Sequence, residues 1–377
     1  MWPRRVWSEP WEGRTRRKFE VSSSNSKIFL GRGTVAKIEL EAREGRAEFL
    51  DQREGYARKG VSFEIRKDSL TGHLSRILPF RRKVFETALA QEILEASQKG
   101  CPFCPAQIES FTPKFIPEIA AEGRIRKGRA VSFPNAFPYA QYNWVVVLSD
   151  EHFYHLDQFT VEVLRDGFLV GQEGIQRVGR MAPDFVFSSI NWNYLPQSGG
   201  GLYHPHLQVV VDQVPTVSQT KGIEGIRRHQ EEEGSFYWED LLSKEMSCGE
   251  RYLGRCGDVH FLAAYSPQGI LGEIITLFAH RFTIDDITGE DWTHFSDGLT
   301  RIFRYLKERQ TYSFNLALIS GTDPEVQSWV YARLCPRILI PPWNTSDINY
   351  FEKFHGEVIC VVSPEEMAEG LKSFFSG

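Results

Sequence analysis

Residues 193–211, Asn193-Tyr194-Leu195-Pro196-Gln197-Ser198-Gly199-Gly200-Gly201-Leu202-Tyr203-His204-Pro205-His206-Leu207-Gln208-Val209-Val210-Val211, set two histidines and a glutamine at alternate positions ahead of a β-branched run. Successive side chains of a strand leave opposite faces, so His204, His206 and Gln208 line one side while Leu207 and Val209 line the other. The apolar side enters a core and thereby fixes the register and the aim of the polar row. Pro205 has no N–H for a ladder, which places it at the beginning of a strand or on its edge.

A neutral imidazole with one N–H anchored keeps the other nitrogen free to attack phosphorus, and His206 fits that role. Gln208 can donate its amide N–H to a phosphate oxygen as charge builds there. Just upstream, Ser198, Gly199, Gly200 and Gly201 allow the backbone to approach a ligand and turn N–H groups toward an anion. An ordinary flexible hairpin loop explains the same glycine run.

Further out, Cys101-Pro102-Phe103-Cys104 supplies two thiolates at the spacing one zinc ion takes, and a closed site needs two more nitrogen or sulfur ligands. No thioredoxin-like βαβ pattern surrounds the pair, so metal is favoured over redox use. His204 begins one predicted strand, and His152 or His155 follows another, Trp144 to Leu148. Phe185 to Ile190 and Val209 to Val211 read as further buried strands of one sheet. An amphipathic helix over Phe159 to Val178 lies between, although Gly167, Gly171 and Gly174 weaken it. A helical stripe from Arg82 to Gln98 (Val84, Ala88, Ile93, Leu94) ends at Lys99-Gly100, leaving the cysteines on a turn.

The pattern then repeats. Val145 to His152 has a counterpart in Ile274 to His280, the helix at 159–178 in one over Trp292 to Arg309, and the strand pair around the histidines in Phe314 to Ile319 and Val330 to Ile340. Where the first copy carries His-Pro-His, the second has Tyr331-Ala332-Arg333-Leu334-Cys335, so its chemistry is gone.

Residues 1–26 read as an irregular arm in which six basic side chains (Arg4, Arg5, Arg14, Arg16, Arg17, Lys18) mix with Trp2, Trp7 and Trp11. Such a mixture can stack on nucleic acid, but a solvated arm is favoured. Short strands are expected at Lys27 to Leu30, Val35 to Leu40 and Val61 to Ile65. A chain of 377 residues, 41% hydrophobic and 25% charged, is a folded protein with room for two units. Net charge of −5 gives no global pull toward nucleic acid, and no apolar run reaches membrane-span length. With no signal-peptide pattern and only six cysteines, the cytoplasm is the expected address and no membrane or nucleic-acid partner is expected.

These residues resemble the galactose-1-phosphate uridylyltransferase family, the transferase branch of the histidine-triad superfamily. The similarity rests on Leu70-Thr71-Gly72, Cys101-Pro102-Phe103-Cys104, Phe133-Pro134-Asn135, Ser149-Asp150-Glu151-His152 and Asn193 through Gln208, and runs from about residue 68 to 365. The resemblance implies an α+β fold of two tandem histidine-triad-like halves, each an antiparallel sheet with packed helices. Residues 1–67 would be an arm with extra strands, 68–215 the catalytic half and 216–377 a degenerate half.

It also implies zinc held by Cys101, Cys104, His152 and His204, and covalent nucleotidylation of His206 beside Gln208 and Asn193. Phe133 and Asn135 would bind the nucleoside, Arg81 and Arg82 phosphate. The implied activity moves a nucleoside monophosphate between a nucleotide-sugar and a sugar-1-phosphate, as in UDP-glucose–hexose-1-phosphate uridylyltransferases of galactose metabolism, in a homodimer. The rivals are a phosphorylase of the same superfamily acting on ADP-glucose or a dinucleoside polyphosphate, and a non-catalytic zinc protein that binds nucleotides. Two departures stand out: Ala136 replaces the acidic residue that follows Phe-x-Asn in the family, and Tyr331 and Arg333 replace its second His-x-His pair, so one metal rather than two is expected.

Overall fold

In the computed structural model, which describes residues 37–82, 91–321, 326–340 and 344–376, the chain opens with strands β1 (Glu41–Asp51), β2 (Ala57–Lys67) and β3 (Leu74–Ile77). Helices α1 (Gln91–Gln98) and α2 (Pro105–Phe111) follow. The first repeat is β4 (Ile125–Lys127), β5 (Ala130–Pro134), β6 (Tyr142–Val147), α3 (Val161–Met181), β7 (Phe187–Tyr194) and β8 (His206–Asp212). After α4 (Val217–Glu233) and α5 (Tyr237–Cys248) comes the second: β9 (Tyr252–Cys256), β10 (Val259–Ala263), β11 (Ile274–Phe278), α6 (Gly289–Glu308), β12 (Ser313–Ser320) and β13 (Tyr331–Arg337). The chain ends with β14 (Leu339–Ile340), β15 (Thr345–Ser346), α7 (Tyr350–His355), β16 (Val358–Cys360) and α8 (Pro364–Phe375).

The two repeats share one 10-stranded sheet, ordered β4-β5-β6-β8-β7-β12-β13-β11-β10-β9. The order is a palindrome: each strand of the first half has its counterpart at the mirrored place in the second, and every neighbouring pair is antiparallel. At the seam Asn191 of β7 pairs with Ala317 of β12, and on their outer sides these residues pair with Gln208 and Arg333. A local two-fold axis therefore passes through the Asn191–Ala317 pair and relates Gln208 to Arg333 and His206 to Tyr331.

One face of the sheet is packed by the helices α3, α6 and α8, with Leu207, Val209 and Val211 among the fully buried side chains there. Thr160 caps α3 and Thr288 caps α6 through side-chain bonds to the third residue onward, which satisfies free N–H groups at each helix start. The glycines of α3 have a use: a Cβ on Gly167 would lie 2.2 Å from Leu148 and one on Gly174 2.6 Å from Trp144, so only glycine lets this helix sit so close to the sheet.

The other face differs between halves. Over the second half, α4 and α5 cover the strands and build a core with Trp238, Leu241, Leu277, Trp329 and Tyr331. Over the first, a small cluster (Ile108, Val131, Phe133, Val145, Val147, with Phe103) is closed off, and the rest is open as far as the described residues go.

The N-terminal strands depart from the expected boundaries. β1 and β2 are long hairpin arms; of the strand expected at Val35 to Leu40, residues 37–40 are described and pair in no ladder, β1 beginning only at Glu41, while the strand expected at Lys27 to Leu30, the arm at 1–26 and the helical positions Val84 and Ala88 lie outside the described residues. Residues 68–78, assigned from sequence to the catalytic half, pack on the second half instead. β3 pairs in parallel with β16, Leu70 joins the second half's core, and Asp68 accepts backbone bonds from Leu70 and Thr71 that fold the Leu-Thr-Gly turn. No described helix is long and apolar enough to cross a membrane.

Candidate active site and metal centre

His206 is the first residue of β8 and faces the open side. Its Nδ1 lies 2.8 Å from the carbonyl oxygen of His204; a carbonyl only accepts, so Nδ1 carries the proton and Nε2 keeps its lone pair. The ring is buried at 7% exposure, and burial lowers its pKa below the ordinary imidazole value, which keeps it neutral near pH 7. Phe103 packs on it edge-on at 5.1 Å, and Val147 lies opposite it on β6. The site thus holds a neutral, oriented imidazole against an apolar wall.

His204 precedes the strand and is fully buried. Its Nε2 donates to the Ser149 carbonyl at 2.9 Å, which turns the Nδ1 lone pair toward Cys101 Sγ (3.8 Å) and Cys104 Sγ (3.7 Å). His152 Nδ1 stands 3.4 Å from Cys104 Sγ, and its Nε2 contacts Ser97 Oγ at 2.9 Å. The sulfurs arrive by local rules: α1 stops, Gly100 takes φ 80°, and Cys104 adopts the extended backbone expected before Pro105, which opens α2.

All four donor atoms lie within 4.8 Å of one another, a Cys2His2 cluster that could hold a metal ion and is compatible with zinc. Tetrahedral Zn–S and Zn–N bonds would separate sulfur from nitrogen by about 3.6 Å, matching the sulfur–nitrogen contacts of Cys104. Burial and the neighbouring Cys101 push the Cys104 thiol up to about 11, and a bound cation would favour its thiolate. His155, the competing third ligand from the sequence, instead caps the turn at Leu156–Gln158.

The other expected residues divide. Gln208 shares the His206 face; its Oε1 accepts from the Tyr139 hydroxyl at 2.8 Å, and its NH2 group has no hydrogen-bond partner among the described residues. Asn193 is exposed on the same face, and continuing the β7–β8 register sets it opposite His206. Phe133 is only 2% exposed, enclosed by Phe103 at 5.3 Å and the Arg124 guanidinium, so it backs the site rather than offering a face to a base. Asn135 is spent on its own loop: it donates to Asn143 Oδ1 and accepts from the Phe137 N–H.

The glycine run needs correction. The N–H groups of Ser198, Gly199 and Gly200 all bond inward, to the carbonyls of Leu195, Pro196 and Leu195, and the Ser198 hydroxyl does the same; only the Gly201 N–H remains for an anion. Leu195 starts this tight turn at φ 69°, a strained conformation for a branched residue. Arg81 and Arg82 are not brought to the histidines. Arg82 pairs with Glu366 of α8, which packs in the helical layer behind the second half, on the opposite side of the sheet from His206.

Sequence reading passed over several neighbours. Phe137 and Tyr139, both exposed, rim the open face on the β5–β6 loop, and only their closeness to Phe133-Pro134-Asn135 signalled them. Ser149 and Ser97 anchor the two metal-side imidazoles; Ser149 lay within a matched motif, Ser97 had no signal. Asn315 and Arg337 come from the second half, beyond the reach of any local pattern.

Two tandem antiparallel halves joined in one sheet, with His-Pro-His leading a strand of one half, form the fold seen in solved GalT-like and uridylyltransferase structures. In particular, the chain is similar to a GalT-like protein from Arabidopsis thaliana (TM-score 0.64, 15% identity, 82% of this chain and 98% of that one). It is equally similar to an ADP-glucose phosphorylase from Arabidopsis thaliana with bound ADP-glucose (TM-score 0.64, 14% identity, the same 82% and 98% coverage). A uridylyltransferase mutant matches with TM-score 0.61 and 15% identity, again over 82% of this chain and 98% of that one. By sequence, an uncharacterized protein of Archaeoglobus fulgidus is 28% identical over 313 residues, 83% of this chain and 92% of the relative. No protein-family model matches.

Proposed function

We propose that this chain is a nucleotidyltransferase that passes a nucleoside monophosphate from a nucleotide-sugar to a phosphate acceptor through His206. The supporting observation is the tautomer of His206, with Nδ1 donating to the His204 carbonyl so that Nε2 is an unprotonated nucleophile on the open face. Nε2 attacks the α-phosphorus of the donor; the bond from that phosphorus to the bridging oxygen breaks, and sugar-1-phosphate leaves with the electron pair. A phosphate oxygen of the second substrate then attacks the same phosphorus, the P–N bond breaks, and the lone pair returns to Nε2. Gln208 and Asn193 donate amide N–H to the phosphate oxygens as charge builds.

Cys101, Cys104, His152 and His204 are the residues that would hold zinc. A bound zinc ion supplies charge for two thiolates and a rigid tie between the cysteine turn and the residue whose carbonyl orients His206. Chelation is expected to lower the melting temperature and abolish nucleotidylation together, both recovering on zinc addition.

The acceptor is taken as a sugar-1-phosphate, with UDP-glucose as donor, after the uridylyltransferase relatives. The rival, transfer from ADP-glucose to inorganic phosphate, draws support from the equal similarity to the ADP-glucose phosphorylase. Incubation with UDP-glucose or ADP-glucose labelled at the α-phosphate, with mass spectrometry of the peptide containing His206, tests both. Label from the uridine donor, chased by hexose-1-phosphate, supports the first; label from the adenine donor alone, chased by inorganic phosphate, replaces it with the second. No label from either donor overturns nucleotidyl transfer. Sedimentation of the purified chain checks the homodimer expected from the resemblance.

A further inference from the structure

The second half has no His-Pro-His segment, yet it sends two polar side chains to the seam beside His206. Asn315 of β12 faces Asn193 across the β7–β12 pairing. Its Nδ2 donates to the Ser198 carbonyl at 2.9 Å and to Asn193 Oδ1 at 2.6 Å, while its Oδ1 accepts from Arg337 Nη1. Amide oxygen and nitrogen are distinguished only by their partners, and here both ends are decided: a carbonyl can only accept and a guanidinium can only donate. Arg337 is in turn held by Asp347, whose carboxylate is 2% exposed and accepts from Nε at 2.8 Å and from Nη2.

The consequence passes to Asn193. With its oxygen engaged by Asn315, its NH2 group is the end left for the open face next to His206. We propose that Asn315, fixed by Arg337, is a positioning residue for the reaction at His206: it sets the orientation of the Asn193 amide so that N–H, not C=O, meets the phosphate. The proposal rests on the reading of His206 as the nucleophile. It also explains how donors reach the phosphate when the glycine run has spent most of its own N–H groups.

The test compares wild type, Asn315→Asp, Asn193→Ala and the double variant, in single-turnover labelling of His206 with α-phosphate-labelled UDP-glucose and ADP-glucose. A carboxylate at 315 still pairs with Arg337 but cannot donate, so the Asn193 amide turns its NH2 toward it. The expected result is a fall in labelling rate on the order of 10- to 100-fold with little change in the donor concentration at half-saturation. In the Asn193→Ala background the same substitution should add less than about twofold. Asn315→Asp labelling at the wild-type rate, or an equal loss with and without Asn193, overturns the positioning role while leaving the nucleophile intact. Absence of label in wild type overturns the nucleophile itself, and the positioning role with it.

Discussion

Gln208 and Arg333 occupy corresponding places on β8 and β13, related by the two-fold axis at the seam, and have opposite surroundings. Among the described residues Gln208 keeps an NH2 group without a partner, its oxygen taken by Tyr139, whereas Arg333 is enclosed under α5, paired with Glu273 and 4.0 Å from Asp68. Burial opposes the Arg333 charge, but Glu273 outweighs it and drives the pKa up, so the charge is kept and matched. Partners and cover decide between a site and a core, since the strand and face are the same. In one half this row is a buried ion pair beside a wall of aromatic side chains; in the other it is the row on which the proposed chemistry rests.

The sharpest way to break this contrast is His206→Ala. Labelling should fall by about 10⁴-fold or more, with the unfolding midpoint nearly unchanged. Arg333→Ala should do the reverse: Glu273, 1% exposed, loses its counter-charge, and urea unfolding should show a loss of about 3–5 kcal/mol. Gln208→Ala, at the matching position, should leave stability within about 0.5 kcal/mol but slow labelling by about 10²-fold. The smallest effect belongs to Tyr331→His: without a metal-side imidazole before it and under the cover of Trp238, it should gain no label, so the stoichiometry stays at one nucleotide per chain. A second labelled site would mean the halves are closer in chemistry than their packing says.

Much of this was legible in the sequence because it is written locally. Alternation fixed which side of β8 His206 and Gln208 occupy, and the Cys-x-x-Cys spacing with two strand-end histidines anticipated the donor cluster. The tandem repeat also showed in the order of strands and helices, as the palindromic sheet bears out. The misreadings arose where contacts are distant in sequence or where glycine leaves the backbone undetermined. Nothing in Leu70-Thr71-Gly72 says that β3 pairs with β16 some 280 residues later, or that Arg82, expected at phosphate, pairs with Glu366 of α8. The glycine run suggested a cradle, but whether N–H groups face a ligand or their own turn depends on dihedral angles that glycine leaves undetermined. Asn315 and Arg337 become visible only once β7 and β12 lie side by side.

That seam has a mechanical consequence. Since β12 borders the strand next to β8, a deletion of a single residue within β12 would exchange its two sides, sending Asn315 and Ala317 into the oily layer and bringing Leu316 and Leu318 out beside Asn193. Such a slip would alter no residue of the first half and would still replace the polar neighbours of Asn193. The second repeat is in this sense a ruler against which the first is aligned.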